Sequence, residues 1–390
     1  MTANKLHAVA AAFLLGTAMM MTAPAYAAVR AEVGNPLIAA QKAAAAKDYK
    51  GAMDLIDKAA AVPNKTAEEN DLIAKMKAYV GSASGDISLG GAQAGKNKLA
   101  QDFNGKNYSG VIADGEALKK AGALDAQTAT YVTQAYYLSG NKAGCVKYVR
   151  DLGSMANETA LQTQMKCAFD TNDTASQREA LEELVGRTGK SEYWTNLIKL
   201  AQQAKNISDP QSLQITRLQF LTGTLAGKDD YVKMAELDLQ LGFPAEAVAV
   251  LDKGFAAGVL NDDRSKSLQA RAKQQADQAK SGMAAALAAA QKDPTGDALV
   301  KVSLQQTTSG AAKDGVATAK EAVGKNLKDK DSGVIALGYA QIVAGQAADA
   351  VKTLNADKGD GNGPMIAHLY ALYAAHPTAS AAPAAAAKKK

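Results

Sequence analysis

The chain has 390 residues, with 44 Lys and Arg against 39 Asp and Glu, a formal net charge of +5. Single hydrophobic cores stop growing at about 250–300 residues, so this length excludes one compact core and points to several domains or a stack of repeated units. Apolar residues at 47% and charged residues at 21% exclude a disordered chain, while aromatics at only 5% favour close-packed helices over a thick sandwich.

Residues 1–27 read as a secretory signal peptide. Lys5 supplies the positive start, Ala8 to Met21 form an apolar run, and Ala25-Tyr26-Ala27 is an A-x-A motif predicting cleavage after Ala27. No cysteine follows the run, which argues against a lipid anchor, and no later run is long enough to span a membrane. A periplasmic or secreted protein is expected. Cleavage would leave 43 bases against 39 acids, and three of those bases are Lys388, Lys389 and Lys390. The folded part is then near neutrality, which argues against a nucleic-acid binder.

Beyond residue 27 the apolar residues recur at helical spacing, as in Val232, Ala235 and Leu239 or Val248, Leu251 and Phe255. Residues 28–80 are expected to form an N-terminal helical unit, and the Gly/Ser-rich segment 81–98 a loop. Residues 99–376 are expected to form a stack of hairpins closed by a cap helix over Met365–Ala375. The Ala/Pro/Lys tail, 377–390, has no composition for a core and is expected to be disordered, its lysines suited to anionic envelope polymer.

The turns superimpose. Lys47-Asp48-Tyr49-Lys50-Gly51-Ala52 aligns with Lys106-Asn107-Tyr108-Ser109-Gly110-Val111, then with segments ending at Cys145, Ala247 and Ala350. Their ends are 59, 34, 102 and 103 residues apart, and three of these steps are one or three times a repeat of about 34. A period of that size means stacked helical hairpins, each covering the apolar face of the one before.

These repeats resemble the tetratricopeptide repeat, whose pattern is W-x2-L-G-x2-Y, then A-x3-F, then P. In the copy ending at Ala247, Tyr231, Met234 and Ala235 stand at the Trp, Leu and Gly, and Leu251 stands at the Phe. Leu337, Gly338, Gly345, Ala350 and Leu354 make a second copy. The resemblance spans residues 35–375, with the consensus Trp absent from each copy. It implies an all-α fold, a right-handed superhelix (solenoid) of antiparallel helical hairpins, whose first helices line a concave face. Carried over by position, that face takes Thr130, Gln134, Tyr137, Met165, Phe169, Asn172, Ile198, Gln202, Val232 and Glu236. Amides and aromatics suit the groove to an extended peptide or an amphipathic helix.

Residues for chemistry are scarce. After cleavage only His368 and His376 remain, no H-E-x-x-H occurs, and no catalytic, cofactor or metal site is expected. Gly186-Arg187-Thr188-Gly189-Lys190-Ser191 lacks the leading glycine of a phosphate loop and reads as a helix end. The acidic pairs Glu182-Glu183, Asp229-Asp230 and Asp262-Asp263 read as helix starts and solvated faces. Cys145 and Cys167, 22 residues apart, are either a disulfide or two buried small hydrophobes.

The expected function is a non-enzymatic periplasmic scaffold or adaptor that binds protein or peptide partners in envelope assembly or maintenance. Two alternatives stand beside it: a glycan-processing or glycan-binding envelope protein with an α-superhelical body, and a self-assembling structural or surface component.

Overall fold

A computed structural model describes residues 29–84, 87–357 and 361–378. The expected signal peptide, and the tail beyond Thr378, lie outside them. Among the described residues there are nineteen α-helices and no β-strand, the all-α arrangement of antiparallel hairpins that the repeat period implies. The chain divides into two compact units between Ser139 and Gly140.

The first unit holds α1 (Ala31–Ala45), α2 (Tyr49–Ala60), α3 (Ala67–Ser84), α4 (Ile87–Asn104), α5 (Tyr108–Lys120) and α6 (Ala126–Leu138). Its turns show why the repeat is legible. Lys47 and Lys106 take left-handed φ values of 64° and 59°, ending one helix. The next residue, Asp48 or Asn107, then caps the following helix by accepting from the amide of Gly51 at 2.9 Å or Gly110 at 3.2 Å. A Cβ at Gly51 would sit 2.2 Å from the Asp48 carboxylate, so glycine there lets the cap close.

Val33, Leu37, Ala40, Ile56 and Val80 form the core of the first three helices. Arg30 grips the carboxylate of Glu69 with Nε and a terminal nitrogen at 3.0 and 2.8 Å. Glu69 also accepts from the Thr66 amide while Thr66 caps α3, and these bonds hold its pKa at about 2, the Arg30 bond foremost.

The segment 81–98 corrects an expectation. Most of it is helical, split between the end of α3 and the start of α4, and the unit boundary lies at Ser139 instead. Gly81, Ala94 and Gly95 are buried, and α3 packs on α4. Helical glycine costs about 1 kcal/mol in propensity, but a small residue lets two helices approach closely, and packing decides.

The second unit comprises α7 (Lys142–Leu152), α8 (Glu158–Asp170), α9 (Thr174–Thr188), α10 (Ser191–Gln202), α11 (Asp209–Thr222), α12 (Lys228–Leu241) and α13 (Pro244–Ala256). It continues through α14 (Asp263–Lys292), α15 (Asp297–Thr308), α16 (Ala312–Val323), α17 (Lys330–Val343), α18 (Ala347–Asn355) and α19 (Asn362–Ala375). Each helix packs on the next. The same turn recurs: Asn141 caps α7 by accepting from Gly144, and Asp173 caps α9 by accepting from Ser176.

Cys145 on α7 and Cys167 on α8 are joined by a disulfide, their Cα atoms 6.4 Å apart and both side chains fully buried. The link fastens helices of successive hairpins. Replacing both cysteines with alanine should cost about 3 kcal/mol, read as a lower urea midpoint. Midpoints equal to wild type would mean that the bond constrains nothing in the unfolded chain.

The expected cap helix is α19, and it does more than end the stack. Besides α17 and α18 it packs on α11 and touches α9, more than 150 residues earlier. Three helices thereby become buried on several sides: Leu213 to Leu218 of α11, Ile335 to Gln341 of α17, and eight residues of α19, among them Ile366, Leu369, Tyr370 and Tyr373.

Candidate partner-binding surfaces

Three of the ten residues assigned to a concave face, Thr130, Gln134 and Tyr137, are half-buried on α6 in the first unit. The other seven lie in the second, and the structure separates them by environment. Met165 is half-buried on α8, and Phe169, one turn on, is 68% exposed. Asn172 is not on a helix face: it is the left-handed residue, φ 55°, that turns α8 into α9. Ile198 is fully buried and belongs to the core, because α10 packs on both α9 and α11. Gln202 is exposed and bonds Gln219 on α11 at 3.1 Å. Val232 is half-buried on α12, and Glu236 on the same helix meets Arg264 at 3.2 Å.

Gln202 also lines a cavity of about 270 Å³ between α10, α11 and α12. Ser212, Ile215 and Gln219 come from α11, and Asp230 and Lys233 from α12. Asp230 is committed there, accepting from the amides of Ala226 and Gly227 at the start of α12. A larger groove, about 640 Å³, lies between α14, the start of α13 and the α15–α16 turn. Phe243, Pro244, Val248, Ala276 and Met283 give it an apolar lining, with Lys273 and Lys280 beside them. None of its residues was among the ten. The signal was present in residues 264–291, an Ala/Gln/Lys stretch that reads as one long helix or a poorly marked hairpin.

Behind these surfaces sits a buried polar cluster. Arg217 on α11 meets Glu246 on α13 with Nε 2.9 Å from both carboxylate oxygens and a terminal nitrogen 2.6 Å from Oε2. The guanidinium lies 4.6 Å from the ring centre of Phe243 and 5.5 Å from that of Tyr339. Burial pulls the Arg217 pKa down, but the Glu246 carboxylate outweighs it and keeps the side chain charged. Asp238 on α12 is fully buried beside the Glu246 carboxylate. Burial first, and the charge of Glu246 second, push its pKa up to about 11, so it is neutral at pH 7.

The acidic pairs fall at helix starts and in ion pairs. Asp262 caps α14, and Glu182 and Glu183 meet His368 and Arg187. Gly189 takes φ 63° as the end of α9. Among the described residues no group of three or more His, Cys, Asp or Glu is placed to hold a metal, and no helix is long and apolar enough to cross a membrane.

No protein-family model matches the chain, and no curated protein does. Among solved structures, Naa15/Naa10 bound to HypK-THB is similar at 11% identity over 82% of this chain and 52% of that one, with a TM-score of 0.24. The APC/C hetero-tetramer Cut9–Hcn1 is similar at 10% identity over 89% of this chain and 73% of that one, with a TM-score of 0.22. The chain thus spans about half the length of the first. Neither superposes closely enough to lend this chain its partners.

Proposed function

We propose that this chain is an exported, non-enzymatic helical-repeat scaffold of the tetratricopeptide kind, binding a protein or peptide partner in the cell envelope. The observation that carries the reading is Phe169, 68% exposed on α8 with Met165 one turn before it. Phe and Met are among the side chains enriched where protein partners meet. The preformed hairpin also lowers the ordering cost of association. Export is supported by the disulfide, which persists in oxidising compartments, and by the signal-peptide pattern of residues 1–27.

The test is affinity capture from an envelope extract on the immobilised protein, compared with a Phe169→Ala variant and, separately, a Tyr137→Ala variant. A partner retained by wild type and lost with Phe169→Ala supports the α8 face. An identical set on all three columns removes the basis for that face. A wild-type protein that instead grows in mass with concentration would favour a self-assembling component.

A further inference from the structure

Left-handed turn residues mark the hairpins of the second unit at Gly140, Asn172, Asn206, Gly242, Gly310 and Gly345. The steps between them are 32, 34, 36, 68 and 35 residues, so one step is double. The middle of that double step is residue 276, inside α14, which runs 30 residues without a turn. One hairpin has therefore lost its turn, and its two helices are fused into a rod of about 45 Å. Chain that would have folded back continues straight on. Ser265, Leu268 and Ala272 anchor the first part of α14 and Ala290 its end, while no residue between Ala272 and Ala290 is buried.

The 640 Å³ groove lies beside that more open stretch, in which only the half-buried Met283 and Leu287 pack on the cluster of Ala290, Leu299, Val302 and Ala322. Gln305 on α15 donates to the Gly242 carbonyl at 2.9 Å, tying together the elements on either side of α14. Val248, Ala276 and Met283 line it as half-buried apolar side chains, above the buried edge of Phe243. The helix is basic overall. α14 carries six Lys and Arg against two Asp. At the groove Lys273 and Lys280 flank Asp277, and the nearest acid to Lys273 is Asp252 at 3.9 Å, a weak exposed pair.

We infer that this groove docks one acidic amphipathic helix of a partner protein. Its apolar stripe would lie on Val248, Ala276 and Met283, and its carboxylates beside Lys273 and Lys280. A helix supplied by a partner restores the burial that the fused hairpin gave up, and complementary charge sets its choice among helices. The site is separate from the α8 face, so the two can fail independently.

The probe is a fluorescein-labelled peptide of about five helical turns with leucines at i, i+4 and i+7 and glutamates on the flanks, paired with a twin carrying lysine for glutamate. Anisotropy titration of the full-length protein should show saturable binding of the Glu peptide, about tenfold tighter than the twin and weakened by salt. Lys273→Glu with Lys280→Glu should reverse the preference. Ala276→Glu, a change at a half-buried groove position to another good helix former, should weaken binding about tenfold while leaving the helical circular-dichroism signal in place. Equal binding of both peptides, no binding of either, or binding indifferent to these variants overturns the inference. So does a concentration-dependent dimer abolished by Ala276→Glu, since the groove would then belong to a second copy.

Discussion

Glu246→Gln and Asp238→Asn combined are expected to destabilise the second unit by about 3–5 kcal/mol, far more than the two single changes added together. Arg217 is buried and cannot give up its charge, so removal of Glu246 would ordinarily leave a bare cation inside the protein. Asp238 stands in reserve. It is neutral only because burial and the neighbouring carboxylate hold its proton on. In Glu246→Gln that second cause disappears while the pull of Arg217 remains, so the Asp238 pKa falls and its carboxyl can offset part of the Arg217 charge. The double variant has no carboxylate left. Asp238→Asn alone should be neutral or stabilising near pH 7. The unfolded chain ionises Asp238 above about pH 4 while the native state keeps it protonated, so this group lowers stability as pH rises from about 4 toward 11. The asparagine variant should therefore lose less stability than wild type between pH 5 and 9. Urea unfolding of the three variants at both pH values checks both statements, and additive losses would rule out the substitution of one acid for the other.

Tyr370→Ala should cost about 3–5 kcal/mol and Tyr370→Phe about 1 kcal/mol. The ring is fully buried, packs edge-on against Tyr339 with centroids 6.0 Å apart, and its hydroxyl donates to the Gln214 carbonyl at 2.7 Å. Deleting the ring opens a cavity between α19, α11 and α17, whereas phenylalanine forfeits only the hydrogen bond. Tyr373 to the Leu221 carbonyl, and Trp194 against Tyr373, would still hold the far end of α19. Chemical denaturation gives the magnitudes. A loss under 1 kcal/mol for the alanine variant would mean that α19 merely rests on α11.

What could be read without coordinates was local. Asp48 and Asn107 cap helices through short side chains and a glycine three residues on, so sequence alone shows the turn and its period. What was hidden was set by distant partners. The segment 81–98 is rich in residues that disfavour helix, yet it is mostly helical in α3 and α4, which pack on each other and on their neighbours. Ile198 and Phe169 look alike as apolar residues at groove positions, yet one is fully buried and the other 68% exposed, because α10 has helices on both sides. Arg217 and Glu246, 29 residues apart, read as solvated charges until two helices bring them together. The double step around residue 276 was visible as a stretch without a turn, but the groove beside it needs α13 and α15 in place.

The return of α19 to α11 also fixes an order of assembly. A chain that emerges N-terminus first can cap and close its early hairpins as soon as each is complete, since their contacts are local. The flank of α11 that takes α19 has no such option, because Tyr370 follows Gln214 by 156 residues. Until the last helix arrives, that flank stays wet, with the carbonyls of Gln214 and Leu221 still bonded to water. The second unit is thus completed from its far end, and any arrest of synthesis or passage before residue 362 leaves a sticky, unfinished body exposed to aggregation or to a holding chaperone.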